Sequence, residues 1–366
     1  MRFALRRLGS TARLGYTGRH LRMNLKLFLS LLLLPCAWPA LAAPQPLNLF
    51  IWSEYIDPKV VADFEKKFEC KVTLDLYDDE AAMMAKLQGG GASRYDVVVP
   101  PDHKVEGLIK LQLIAPLRHE NIPNLKNLDP RFLSPPYDRG NKFTVAYQWG
   151  TLGIYVRPSP GGRLPPTWGL VFDPKLQPGP FVLIDGARDL VGAALKYQGH
   201  SLNSTNPEEL KAARDLILAA KKRCQGFDNS VGGMKKVLGK SVKAAIVFSG
   251  EAARGMDDDK ATTFIIPQEG SQIWLDNLVV CAKAPHRDLA EKFINFTLDP
   301  KVAARIANFT QFATPNQAAK PFINADDLKD PTIYPPPDVM AKLEFLEDLG
   351  SKTSLYDEVW TQIKAR

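Results

Sequence analysis

From residue 47 to residue 111 the hydrophobic period switches back and forth between about 2 and about 3.6, and no other feature constrains the fold as tightly. LNLFIW (47–52) is a short apolar strand. Asp57-Pro58 then supplies an N-cap and a proline for the first helical position, and Val60, Val61, Phe64 and Phe68 follow at helical spacing. Val72, Leu74 and Leu76 next alternate against Thr73 and Asp75. A second helix is predicted from about Asp79 to Leu87, stopped by Gly89-Gly90-Gly91. YDVVVP (95–100) reads as a buried strand and Val105 to Leu111 as a third amphipathic segment. Strand, helix, strand, helix, strand is the signature of an α/β fold with a mostly parallel sheet flanked by helices.

The pattern changes near residue 143, where FTVAYQWGTLGIYV alternates over a longer span and runs into the proline-rich RPSPGGRLPPTW. This is the place for the chain to leave one lobe and enter another. A second α/β set follows. FVLID is a strand, Leu190 to Tyr197 a helix, and Pro207 to Lys222 a helix opened by Asn206; VKAAIVF (242–248) and TTFIIP are further strands. IWLDNLVVCA begins a long strand able to cross back to the first lobe, and Pro285 to Asn308 is helical in two pieces divided near Asp299-Pro300. The expected division is 46–148 with about 275–318 in lobe 1, and 149–274 with about 319–366 in lobe 2.

The first 42 residues hold six Arg, one Lys, no acid, an apolar run from Leu27 to Leu34, and Ala40-Leu41-Ala42. That is the composition of a secretory signal peptide, too short to span a bilayer, with cleavage expected after Ala42. Translation could begin at Met1 or at Met23, since MNLKLFLSLLLL is a complete signal by itself. Arg6-Arg7 lacks the usual twin-arginine surroundings, and Pro35 departs from the small residue expected before a lipoprotein Cys36. Removing the segment changes the charge argument. The chain has 47 basic and 40 acidic residues, and the segment carries seven of the basic and none of the acidic, which leaves 40 of each. The net charge of +7 belongs to targeting, and it gives no support to nucleic-acid binding. Cys70, Cys224 and Cys281 remain, enough for one disulfide at most, whose pairing spacing does not decide.

Enzyme and metal signatures are missing. There is no HExxH, no GxSxG and no P-loop, and His103, His119, His200 and His286 have no metal-ligand neighbours and read as surface or loop residues. No cofactor is expected. Aromatic and acidic residues instead gather at predicted strand ends. These are Trp52-Ser53-Glu54-Tyr55, Asp185 and Asp189 after FVLI, Phe248-Ser249-Gly250-Glu251, and Trp274 with Asp276. Ligands of open α/β sheets bind outside the carboxyl ends of strands. Carboxylates there pair with ammonium groups, and aromatic faces cover a methylene chain, adding about 0.5 to 2 kcal/mol per cation–π contact. Paired carboxylates also leave a secreted hydrolase open as an alternative.

LFIWSEYIDP, YDVVVP, NLDPRFL, YQWGTLGI, IPQEGSQIWLDNL, FINFTLDP and TIYPPPDVMAKL, in this order, resemble the periplasmic spermidine/putrescine-binding proteins of ABC transporters. The resemblance implies a two-lobed periplasmic-binding-protein fold of type II, a monomeric receptor that closes on its ligand about a hinge, and an inner-membrane permease as partner. It implies no enzyme. Trp52, Ser53, Glu54 and Tyr55 match the family's aromatic-rich turn, and Trp274 and Asp276 match its W-x-D. Asp189 matches the acid after the D-x-x-x turn, and Phe248 to Glu251 match an altered W-x-G-D. Departures fall at Pro101, followed by Asp102, at Gly186, at Phe312 and at Leu346. Trp52, Tyr55, Phe248 and Trp274 are expected to line a methylene chain, and Asp276, Glu251 and Asp189 to take ammonium groups. Asp102 is a replacement acid, and Phe312 a further wall. A putrescine-like diamine is favoured over spermidine, with a different small solute as the alternative.

Overall fold

The computed structural model describes residues 44–365, so the expected signal segment and Cys36 lie outside the described residues. The chain opens with β1 (Gln45–Trp52), α1 (Pro58–Phe68), β2 (Cys70–Tyr77), α2 (Glu80–Gln88), β3 (Val97–Val98) and α3 (Asp102–Lys110). β1 runs parallel to both β2 and β3, with Leu49 opposite Leu74 and Val97. Successive residues of β1 feed opposite faces: Leu47, Leu49 and Ile51 pack with Val60 and Phe64 of α1, whereas Phe50 packs with Met83 and Leu87 of α2 and Leu108 of α3. Burial on both faces explains why LNLFIW reads as a continuous apolar run.

Helix starts follow the local chemistry. Asp57 accepts from the Lys59 amide at 2.8 Å with Pro58 at N1, and Asn206 caps Glu208 at 3.0 Å ahead of Pro207. β2 corrects the simple alternation. Val72 is buried, but Leu74 and Leu76 are 40% and 51% exposed, further along the edge strand of the sheet.

β4 (Thr144–Val156) is buried over all 13 residues and serves two half-sheets. Next come α4 (Gly169–Phe172), β5 (Phe181–Ile184), α5 (Ala187–Tyr197), α6 (Pro207–Lys221), β6 (Phe227–Asp228), α7 (Ser230–Leu238), β7 (Ala244–Phe248), α8 (Ser249–Asp258) and β8 (Thr263–Ile265). β9 (Ser271–Val280) then returns to the first half, followed by α9 (Arg287–Thr297), α10 (Pro300–Thr310), α11 (Pro337–Met340), β10 (Leu343–Phe345) and α12 (Thr353–Ala365). Asp299 caps α10, dividing the helical stretch where the sequence predicted.

The sheet order is β2-β1-β3-β9-β4-β7-β5-β6. β2-β1-β3 and β6-β5-β7 are parallel, as expected, but they are joined through β9 and β4, which are antiparallel to their neighbours on this path. β4 pairs with β9 up to Thr151, and from Leu152 onward with β7 and β8. Two separate cores result, one around Phe64, Phe293 and Leu278, the other around Trp168, Phe181 and Tyr356. The second contains α12, so the C-terminal helix belongs to the half that holds β5.

Candidate functional site: an aromatic cluster with buried carboxylates

The turn Pro267–Gly270 starts β9, closed by a 3.0 Å bond from the Gly270 amide to the Pro267 carbonyl. Gly270 has φ 96°, and a Cβ there would meet the Lys342 carbonyl at 2.3 Å, so both backbone and space require glycine. Trp274 and Asp276 then share a face. Opposite Trp274 in the ladder is Gly150, where a Cβ would lie 2.6 Å from the indole. The missing side chain is the indole's seat.

Around that indole stand Phe312 at 5.0 Å, Phe248 at 5.8 Å and Tyr55 at 6.4 Å between ring centroids. Phe312 lies over Gly250, whose absent Cβ leaves it room. Trp52, at the end of β1, leans on Tyr77 at 4.3 Å. Tyr55 is positioned through its carbonyl, which accepts from the Tyr147 hydroxyl at 3.0 Å and the Gln148 amide at 3.2 Å. Adjacent strand residues normally point apart; the register of β4 shifts between Ala146 and Gln148, and this bulge aims both at one carbonyl.

Asp276 is 6% exposed and has no ion-pair partner among the described residues. The Tyr55 hydroxyl lies beside it without closing a hydrogen bond of normal geometry. Burial, then the charge of Asp102, push the Asp276 carboxyl well above its usual range, against the opposing pull of Tyr55 and His103. Asp102 begins α3 and accepts from the His103 amide at 2.8 Å and the Leu275 amide at 3.3 Å, tying that helix to β9; burial raises its carboxyl as well. Asp189, in the first turn of α5, reaches back over Gly186, where a Cβ would meet its Oδ2 at 2.1 Å. Gly186 is therefore what seats Asp189. Although part of Asp189 reaches solvent, desolvation and the neighbouring Glu80 raise it to about 6.

Other predicted residues are placed differently. Asp185 is on the surface, paired with Lys364 at 2.8 Å. Ser53 lies beside Trp52, its amide bonded to the Tyr77 carbonyl at 3.2 Å. Glu54 is half-exposed with φ 56° and stands 3.7 Å from both Arg254 and Lys235. Glu251 is buried, but its carboxylate is already held by Ser230 at 3.1 Å and Arg254 at 3.1 Å. Burial raises its carboxyl and Arg254 opposes that rise.

Sequence reasoning missed His103, Glu80, Gln272 and Arg254. His103 is no surface histidine. Its ring is 5% exposed, with Nε2 at 2.8 Å from Glu80 and Nδ1 at 3.3 Å from Asp102. Glu80 also meets Lys104 at 3.1 Å. The signal was present in DH at the start of a helix, but the partner, Glu80, is 23 residues away. Gln272 sits two residues before Trp274 on the same face, with its Oε1 buried and unpartnered.

Of the ten unpartnered buried side-chain atoms among the described residues, four, Trp52 Nε1, Tyr55 Oη, Gln272 Oε1 and Trp274 Nε1, belong to these walls. Orphaned polar atoms and unpaired carboxylates are costly in a core and natural in a binding site. Among the described residues no group of three His, Cys, Asp or Glu is placed to hold a metal. The three thiols, Cys70, Cys224 and Cys281, are unbonded. No described helix is long and apolar enough to cross a membrane.

Comparison with known proteins agrees with this arrangement. Residues 59–336 match the family described as bacterial extracellular solute-binding protein. A putrescine/cadaverine-binding protein of Pseudomonas aeruginosa is 33% identical over 357 residues, covering 94% of this chain and all of that one. The spermidine/putrescine-binding periplasmic protein of Escherichia coli K12 is 30% identical, covering 87% of this chain and 91% of that protein. A putative spermidine/putrescine ABC transporter structure from Listeria monocytogenes superposes with a TM-score of 0.83 at 35% identity, over 87% of this chain and 99% of that one.

Proposed function

The chain belongs to the bacterial extracellular solute-binding protein family, and within it we propose a periplasmic receptor of an ABC importer that captures a polyamine, a putrescine-like diamine in preference to spermidine. The observation that carries the reading is Asp276, a carboxylate buried without a cationic partner inside a box of Trp274, Tyr55, Phe248 and Phe312. An ammonium group there would relieve the desolvation of the acid, and the rings would cover the methylene stem. Asp189 and Asp102 supply further negative charge, and Trp52 and Gln272 add unpartnered polar atoms. The relatives with polyamine names support the ligand class. They are binding proteins rather than enzymes, and the hydrolase alternative is set aside on that ground.

Glu251 enters the proposal only with Arg254 moved aside, since Arg254 now holds it. The departures at Pro101, which bridges to Asp276 and has no hydroxyl, and at Phe312, which has none either, favour the shorter amine. Leu346 is buried and offers no polar group to an extended ligand. Proposed partners are an inner-membrane permease and the amine, with the receptor a monomer delivered by its signal segment. The proposed lobes are 46–148 with about 275–318, and 149–274 with about 319–366. Packing of Ala319 and Ile323 on Ala303 and Ala304 favours a later return, near residue 335.

A thermal-shift panel tests the reading. Putrescine or cadaverine at 100 times its dissociation constant adds about 2.7 kcal/mol of stability. A response to amino acids or anions alone would favour another solute on the same fold.

A further inference from the structure

We propose that His103 is a specificity-determining residue of the cleft, a resident cation that takes the place of one ammonium group and so limits the ligand to a dication. The inference rests on the polyamine reading and deepens it. Both imidazole nitrogens face carboxylates, Nε2 at 2.8 Å from Glu80 and Nδ1 at 3.3 Å from Asp102. A neutral imidazole donates from one nitrogen only and would turn a lone pair toward the other carboxylate. The doubly protonated ring satisfies both, and with 5% of its surface exposed it has little water to turn to.

The charges around the ring can be matched one by one. Glu80, Asp102, Asp189 and Asp276 face this end of the cleft, and each appears among the charges that perturb His103 or that His103 perturbs. His103 and Lys104 answer Glu80 and Asp102. Arg188 is near enough for its charge to oppose the rise of Asp189, but its hydrogen bonds go to Asn203 at 2.8 Å and the Glu347 carbonyl at 3.2 Å, with its guanidinium on the Tyr356 ring. Asp189 and Asp276 are left as the two of these acids with no ion pair among the described residues. Two free carboxylates suit two ammonium groups, and a third ammonium would approach a fixed imidazolium in a poorly screened site.

The test compares affinities of the mature chain and its His103→Asn variant for putrescine and spermidine by calorimetry. Removing the cation is expected to shift the ratio toward spermidine by about tenfold. A ratio unchanged in a folded variant overturns the inference, and equal weakening of both amines does the same, since it marks a merely structural histidine. Nitrogen NMR of the unsubstituted protein at neutral pH gives a second readout: two protonated ring nitrogens at His103 are expected, and a neutral tautomer overturns the inference. If the unsubstituted chain binds no amine, the polyamine reading itself falls; if it binds putrescine while the ratio or the protonation state fails, only the role of His103 falls.

Discussion

Asp189 links pH to ligand binding in a way that can be worked out from its surroundings. Its folded pKa of about 6 lies above the ordinary value of about 3.9, so the folded ligand-free protein holds this proton more tightly than the unfolded chain does. The group therefore costs nothing at acid pH, and it subtracts stability as pH rises from about 4 through about 6. A bound ammonium requires the ionised form, so this group makes affinity climb with pH by up to about tenfold per unit below 6, and Asp276, whose carboxyl burial also raises, adds to the climb. Calorimetric titration at pH 5, 6 and 7 checks this, and Asp189→Asn should make the dependence shallower. His103 has the opposite sign. Burial alone would lower it, but Glu80 and Asp102 raise it to about 9. Its contribution to stability is present below about 6.5 and lost as pH rises through 9. Spacing made Trp274 and Asp276 legible, because two residues apart in a strand share a face. His103 was not legible, because its meaning depends on Glu80 from a different helix.

Among the elements, helix starts were readable and two strand features were not. Asp57-Pro58, Asn206-Pro207 and Asp299-Pro300 each carry the cap and the proline that begin a helix, and each does so in the fold. β10 spans only Leu343–Phe345 and forms because β9 offers it an edge, which no local pattern announces. The bulge in β4 was equally hidden, since it exists to aim Tyr147 and Gln148 at Tyr55. Gly150 gives this level its sharpest test. Gly150→Ala should push the Trp274 indole out of place, cost about 1–3 kcal/mol in chemical denaturation, and weaken amine binding without touching a charge. Phe64→Ala, in the core shared by α1 and α9, should cost about 3–5 kcal/mol by the same measurement.

At the scale of the whole molecule, β4 and β9 decide what the protein can do. Each strand is buried from end to end, and β4 passes from β9 in the first half to β7 and β8 in the second, so motion of one half against the other must bend β4 or the ends of these strands. The site residues lie close to where β4 changes partners, with Trp274 opposite Gly150 and Phe248 opposite Leu152, while Asp276 lies opposite Gln148 beside the bulge. The α/β class was legible from hydrophobic period alone. The role of β4 was only half legible, because its long alternation does not show where pairing passes from one neighbour to the next. Glu54 and Arg254 face each other at 3.7 Å between β1 and α8, and Arg254 also bonds the Thr310 carbonyl at the end of α10. Arg254→Ala should loosen this clasp and leave Glu251 buried without its partner, costing about 1–3 kcal/mol in chemical denaturation.

Asp276 carries the central claim, and isothermal titration of putrescine into the mature chain and into Asp276→Asn tests it most directly. The unsubstituted protein should bind one putrescine, and the variant should bind at least about 30-fold more weakly, since truncating one partner of a buried charge pair costs about 2–5 kcal/mol. Equal affinities in the two proteins, or no heat of binding in the unsubstituted chain, would contradict an ammonium seat at Asp276.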